Sequence, residues 1–381
     1  MKRPLLLGLG SLAGAALGLF ACAHDDAIAL TSDEEPSPLP ALDGSTGADA
    51  SPEDASDANA WSPCSGFGFC LLDTELPPLV ALNAITGTAA DDVWIVGTKG
   101  TVLHGSGTSF APVPAGTDES LFSVWSPARD NVWISASSAP LHGSAKEGGG
   151  VKFERVPGST WNPSGATGGR IWTVWGSSAD DVWLAGEPSS RFGGNASVWQ
   201  LTSDDAGAPG WRSVSICAPG KFCSPNIRAS WGSPNGPAWL VGSRGENYTP
   251  EVADGGTLWA SKDSRTLIAL ESVWGAPNGE AWAVGAGGTV RRFAPDKNSW
   301  EVIESPVSTA LHGVWGRNAD DVWIVGDEGV VLHWTGKALE LETMHDRTTV
   351  APDLNAIWGI DRQIWIVGNG VIFHAADAGS P

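Results

Sequence analysis

Residues 312–326 read HGVWGRNADDVWIVG, and residues 173–186 read TVWGSSADDVWLAG. A third copy, ESVWGAPNGEAWAVG, spans residues 271–285. Each copy places two Trp on either side of an Asp- or Gly-rich turn, and self-similarity of this kind marks a repeat architecture before any single element is assigned. The second Trp recurs at Trp94, Trp133, Trp183, Trp239, Trp282, Trp323 and Trp365, at the spacing of propeller blades. The first lies at Trp125, Trp175, Trp231, Trp274, Trp315 and Trp358, with Thr86 in its place in the first copy. Thirteen of the chain's 21 Trp therefore occupy repeat positions.

Working outward, each copy reads as four short strands. One ends in the first Trp, a second resembles VWIVG, a third resembles GTVLH, and a fourth resembles WEVIES or WRSVSI, with Gly and Asp turns between them. A four-stranded sheet of this size cannot bury both faces alone, so seven copies predict an all-β fold, a seven-bladed β-propeller of antiparallel blades with the Trp wedged between neighbours. The seventh copy, NAIWGIDRQIWIVGNGVIFHA, stops after three strands, while Phe69 to Asp73 precede the first copy with no blade of their own. Residues 69–73 are thus expected to supply the fourth strand of the last blade, closing the ring and leaving no open sheet edge.

The pattern VWG-x3-DDVW-x-VG-x-GG-T-x-x-H resembles the Trp-rich repeats of predicted outer-membrane lipoproteins of myxobacteria and related bacteria. More distantly, it is similar to tectonin-type and photosystem-assembly-factor-type propellers. The resemblance spans about 310 residues and implies the fold far more than an activity.

The N-terminus reads as an export signal over residues 1–21. Lys2 and Arg3 precede an apolar stretch from Pro4 to Phe20 that is too short and Gly-rich to span a bilayer. Leu19-Phe20-Ala21-Cys22 resembles a bacterial lipobox, which implies acylation of Cys22 and a membrane anchor that does not cross. Residues 22–60 then carry ten Asp/Glu and no Lys, Arg or aromatic residue, a composition that predicts a disordered, self-repelling tether. The propeller is assigned to residues 61–381. The four remaining Cys form two equally spaced pairs, Cys64 with Cys70 and Cys217 with Cys223, which in an exported protein predict two small disulfide loops.

With 22 Lys+Arg against 43 Asp+Glu the net charge is −21, which argues against nucleic-acid binding. The chain has no Walker loop, G-x-S-x-G or HExxH motif, and its one Tyr, Tyr248, leaves only a half-matched sialidase Asp-box near Ala253 to Trp259. Asp91-Asp92, Asp180-Asp181 and Asp320-Asp321 recur at one turn position, so Asx turns account for them. His104, His333 and His374, with Arg292 as their counterpart, mark another repeat position and read as packing or hydrogen-bonding groups. No catalytic residue, metal site or cofactor is expected.

Loop lengths carry the remaining signal. Insertions at Pro188 to Ala196, Arg244 to Gly255, Pro157 to Arg170, Ala218 to Ile227 and Thr343 to Asp353 all map to one face of the disc, whereas those at Ser144 to Gly150 and Thr202 to Gly210 map to the other. Loops on a rigid scaffold are where binding groups gather, so Trp161, Arg191, Phe192, Asn195, Arg244, Glu246, Asn247 and Tyr248 are the candidate ligand-binding residues. The expected protein is a monomeric, lipid-anchored, non-catalytic binding or scaffolding propeller of the bacterial cell envelope, in the outer membrane. Its expected partner is an envelope protein or a glycan. Lectin-like binding is the first alternative, and a glycan-active enzyme the second.

Overall fold

The computed structural model describes residues 68–376, apart from residues 75, 77–78, 157–169, 190–195, 204–206, 208, 218–222, 234–237, 254–255 and 344–350. These residues form seven four-stranded antiparallel sheets arranged as the blades of a ring. The inner strands, in blade order, are Leu82–Ala89, Leu121–Ala128, Ile171–Ser178, Ile227–Gly232, Leu270–Gly275, Leu311–Asn318 and Leu354–Ile360. Each packs against the inner strands of both neighbouring blades, and the ring closes where Leu354–Ile360 meets Leu82–Ala89.

The apolar core is divided accordingly. Seven clusters of buried side chains each fill one interface between adjacent blades, such as Trp282, Val284 and Val290 of blade 5 against Leu311, Val314 and Ile324 of blade 6. A single blade therefore gains its burial only from its neighbours, which is why the sequence must repeat.

Closure follows the expected clasp. Strand Cys70–Leu71 pairs antiparallel with Ile372–Ala375 through Cys70 opposite His374 and Leu71 opposite Phe373, and becomes the outermost strand of blade 7. The Leu72 N–H adds a bond of 2.9 Å to the Ile372 carbonyl. Phe69, 1% exposed, meets Trp323 of blade 6 edge to face at 5.5 Å. It thus fills the place taken in other blades by an outer-strand aromatic, such as Phe153 against Trp94 or Trp300 against Trp239. Cys217 and Cys223 form a disulfide between the outer strand of blade 3 and the inner strand of blade 4. Cys70 is also disulfide-bonded, while Cys64 and Cys22 lie outside the described residues.

The two Trp of each copy do different work. Trp125, Trp175, Trp231, Trp274, Trp315 and Trp358 stand directly opposite Trp133, Trp183, Trp239, Trp282, Trp323 and Trp365 in the ladder between the first two strands. Each first Trp lays its ring over a Gly of the next blade: Trp125 over Gly176, Trp175 over Gly232, Trp231 over Gly275, Trp274 over Gly316, Trp315 over Gly359 and Trp358 over Gly87. A Cβ at any of these Gly would lie 2.4–2.9 Å from an indole atom, closer than van der Waals contact allows. The exception confirms the cause. Blade 1 has Thr86 instead of Trp, and blade 2, which receives it, has Ser126 instead of Gly.

The Asp pairs expected as turn residues divide in the structure. Asp91 is exposed and pairs with Arg129 at 2.7 Å, whereas Asp92 is fully buried and bonds His104 Nε2 at 2.8 Å. That His stacks on Trp94 with centroids 3.9 Å apart. Asp321, His333 and Trp323 repeat the arrangement in blade 6. Burial opposes the Asp321 charge, but hydrogen bonding from His333 and the charge of Arg317 outweigh it and hold this carboxyl below its ordinary value of 3.8. In blades 2 and 7 neutral amides replace the carboxylate, with His142 on Asn131 at 2.9 Å and His374 on Gln363 at 3.1 Å. There burial pushes both imidazoles below their ordinary value of 6.5. The His positions are therefore structural, as expected from their recurrence.

Candidate functional site at the channel mouth

Aligned by structure, the seven inner strands open with LNAIT, LFSVW, IWTVW, IRASW, LESVW, LHGVW and LNAIW. The first residue is a buried Leu or Ile, the third is small, the fourth is β-branched or Ser, and the fifth is Trp or Thr. Only the second varies without chemical restraint: Asn83, Phe122, Trp172, Arg228, Glu271, His312 and Asn355. In every blade the ladder to the second strand skips this residue, so it is the extra residue of a β-bulge. A bulge re-aims its side chain out of the regular pleat. Here all seven side chains line one central cavity of about 370 Å³, and all are half-buried.

The cavity opens toward the loop-rich face at this end. His312 Nε2 lies 2.7 Å from Asp327 in the turn between strands two and three of blade 6, and Asn355 donates to Asn369 in the matching turn of blade 7 at 3.1 Å. Asn83 and Asn355 also donate to the carbonyls of Leu121 and Leu82 in the next blade, at 2.8 and 2.9 Å, which gives these two a structural role. The other five are free of that duty.

Around the mouth the chemistry is polarised. Blades 2 to 4 present a continuous stack: Phe122 meets Trp172 edge to face at 4.8 Å, and the Arg228 guanidinium sits over Trp172 at 4.8 Å. Arg170 lies over the same indole at 5.4 Å. Trp172 Nε1 and Arg228 Nε are shielded from solvent and make no hydrogen bond among the described residues. Blades 5 and 6 present Glu271 and the His312–Asp327 pair. An aromatic and cationic half thus faces an acidic and imidazole half across one opening, a surface suited to recognising an asymmetric ligand.

The loop residues selected from sequence fare differently. Arg244 and Glu246 do occupy the turn between strands two and three of blade 4, where they pair at 3.1 Å. Asn247 and Tyr248 do not belong to a loop: they begin strand Asn247–Ala253 and are buried, at 1% and 8% exposure. Asn247 is engaged by the Trp300 indole at 3.0 Å and by the Lys262 backbone, and burial raises the Tyr248 hydroxyl above its ordinary value. The segment Arg244 to Gly255 is therefore mainly a third strand rather than an insertion; its Gly245 and Pro250 gave it the look of a loop. Trp161, Arg191, Phe192 and Asn195 lie outside the described residues. Among the described residues, no group of three or more His, Cys, Asp or Glu could hold a metal ion.

No family model matches the chain, and no curated protein is similar to it. Solved structures do match. YCF48 bound to D1 peptide superposes with a TM-score of 0.60 at 18% identity, over 82% of this chain and 97% of that one. YCF48 from Cyanidioschyzon merolae gives 0.60 at 15%, over 81% and 98%. Virginiamycin B lyase from Staphylococcus aureus gives 0.55 at 16%, over 77% and 94%. At such identities the likeness establishes the fold: the chain is a seven-bladed β-propeller, a scaffold shared by a peptide-bound protein and an enzyme.

Proposed function

We propose that this protein is a non-catalytic binding propeller of the bacterial cell envelope, which holds a segment of a partner protein at the channel mouth. The observation that carries the reading is the bulged position of the inner strands. Five of its seven residues make no bond to a carbonyl of the next blade and differ in chemistry, while the other four of the first five positions in those strands stay within a narrow chemical range. Aromatic and Arg side chains grouped in a partly desolvated recess are the usual anchors of protein recognition. The YCF48 structure with a bound D1 peptide supports a protein partner by analogy of fold. The repeat Asp and His side chains that would serve catalysis are instead committed to one another between strands.

The envelope address rests on the sequence of residues 1–60, with Cys22 as the acylated residue and the acidic segment as a spacer from an outer-membrane anchor. Cys22→Ala should move the protein from the membrane to the soluble fraction, and membrane retention would reject the anchor. For the site, p-benzoylphenylalanine is placed at Phe122 in the mouth or at Asn278 on the opposite face of the full-length protein in cells. A discrete protein adduct is expected from position 122 only, and Arg228→Glu should abolish it. Identical adducts from both positions, or none from 122, would refute the reading.

A further inference from the structure

Six of the seven second-position Trp are buried to between 0 and 4% exposure. Trp183 of blade 3 is the exception and is half-buried. Trp239 is buried by Phe293 and Trp300 of the next blade, and in five other blades a side chain directly across the ladder covers the Trp. His104, His142, His333 and His374 stand opposite and stack on their Trp, and Arg292 lies over Trp282, but the residue opposite Trp183 is Gln200. Gln200 donates to Asp181 at 3.0 Å and, having no ring, cannot stack on the indole as the His do.

The neighbouring blade widens the opening. The second and third strands of blade 4 pair only through Leu240 with Tyr248 and Val241 with Asn247, and Pro250, which has no N–H to donate, follows. The result is a groove of about 690 Å³ between blades 3 and 4. One part of its lining is apolar: Trp175, Trp183, Pro250 and Trp259, with the rings of Trp183 and Trp259 at 69° and 6.0 Å apart. Beside it runs a connected polar row, in which Ser177 Oγ donates to Asp181 at 2.6 Å, Trp183 Nε1 donates to Asp181 at 2.7 Å, and Arg212 donates to Gln200 Oε1 at 2.8 Å.

We propose that this groove is a saccharide subsite, in which a neutral pyranose ring packs against Trp183 and Trp259 while its hydroxyls bond to the Gln200 and Arg212 row. The chemistry selects that class. Asp181 already accepts from three donors, and one carboxylate is balanced by one guanidinium, so the groove offers no uncompensated charge to a charged ligand. It does offer indole surface beside groups that donate and accept in a plane. A sugar has an apolar C–H face rimmed by hydroxyls that do both. The site is separate from the channel mouth and does not depend on it.

Saturation-transfer NMR on the full-length protein in detergent tests this, with chitohexaose, cellohexaose and maltohexaose as probes. Transfer from indole protons to the sugar ring protons of at least one probe is expected. Trp183→Ala should weaken that binding about tenfold, a loss of the size of one aromatic contact. Gln200→His is the sharper variant, since it restores the residue that covers Trp in blades 1 and 6 and can reach Asp181 as His104 reaches Asp92. It should abolish transfer while the melting temperature holds or rises. Arg212→Ala, on the exposed outer strand, should weaken transfer without touching the fold, and Trp172→Ala in the channel should leave it unchanged. No transfer to any probe, or transfer surviving in both Gln200→His and Arg212→Ala, would overturn the proposal.

Discussion

The two ends of the central channel are built from the same seven strands and follow opposite rules. At one end six indoles and a Thr form a nearly uniform ring, each Trp resting on a Gly of the next blade. At the other, three residues earlier in each strand, seven bulged residues span aromatic, cationic, acidic and amide chemistry. Uniformity accompanies direct contact between neighbours, where any change at one blade must be matched in the next. Diversity accompanies a position whose ladder partner is missing, so that no residue of the second strand constrains it.

If the uniform end carries stability, Trp274→Ala should show it most: loss of this 7% exposed indole is expected to cost ~3–5 kcal/mol in urea unfolding. Gly275→Ala tests the other half of the contact. Its Cβ would meet Trp231 at 2.4 Å, so ~1–3 kcal/mol of overpacking should appear although only a methyl is added. The Thr86 and Ser126 gap allows the rule to be extended. Thr86→Trp alone should destabilise and Ser126→Gly alone should not help, yet the double variant should recover, with a coupling of ~0.5–3 kcal/mol in a double-mutant cycle. Additive effects would mean that the Trp and Gly are independent.

Acid should probe the third strands, which stand in register with the uniform end. His142 and His374 resist protonation in the folded protein, so the stability tied to their neutral form is complete above the ordinary value of 6.5. As pH falls below it, the unfolded chain takes up protons first and that stability is lost. The melting temperature should therefore decline from pH 7 to about 5.5, and His142→Gln with His374→Gln should flatten the decline. The smallest effect is expected at the diverse end: Arg228→Ala should change stability by about 1 kcal/mol, the scale of a half-buried cation–π contact, while abolishing partner capture.

The blades, the interblade Trp and the clasp were legible because each depends on residues with strong local signatures: Trp at fixed spacing, Gly turns, and a terminal copy lacking one strand. The candidate site was legible too, but not where loops pointed. Its signal is the variable residue after the leading Leu or Ile of each inner strand, which emerges only when the seven copies are aligned from that residue instead of from the Trp. Asn247 and Tyr248 misled for a related reason. Pro250 and Gly245 flank them with turn chemistry, yet the third strand of blade 4 forms outward of Pro250 by pairing with Gly256–Ala260, a tertiary arrangement that local composition does not encode. The open groove beside Trp183 likewise depends on Gln200 standing where four blades have a His and one an Arg, a difference invisible until those five are seen to cover their Trp.

The clasp sets an order of assembly. Blades 1 to 6 each consist of consecutive residues and can form as synthesis proceeds, but strand Cys70–Leu71 finds its partner only once Ile372–Ala375 exists. The seam joins residues about 300 apart in sequence, a late and entropically costly step to which no earlier blade commits the chain. A product truncated before residue 372 would keep six blades and an unpaired edge open to other chains, so completion of the ring reports that synthesis has passed Ala375.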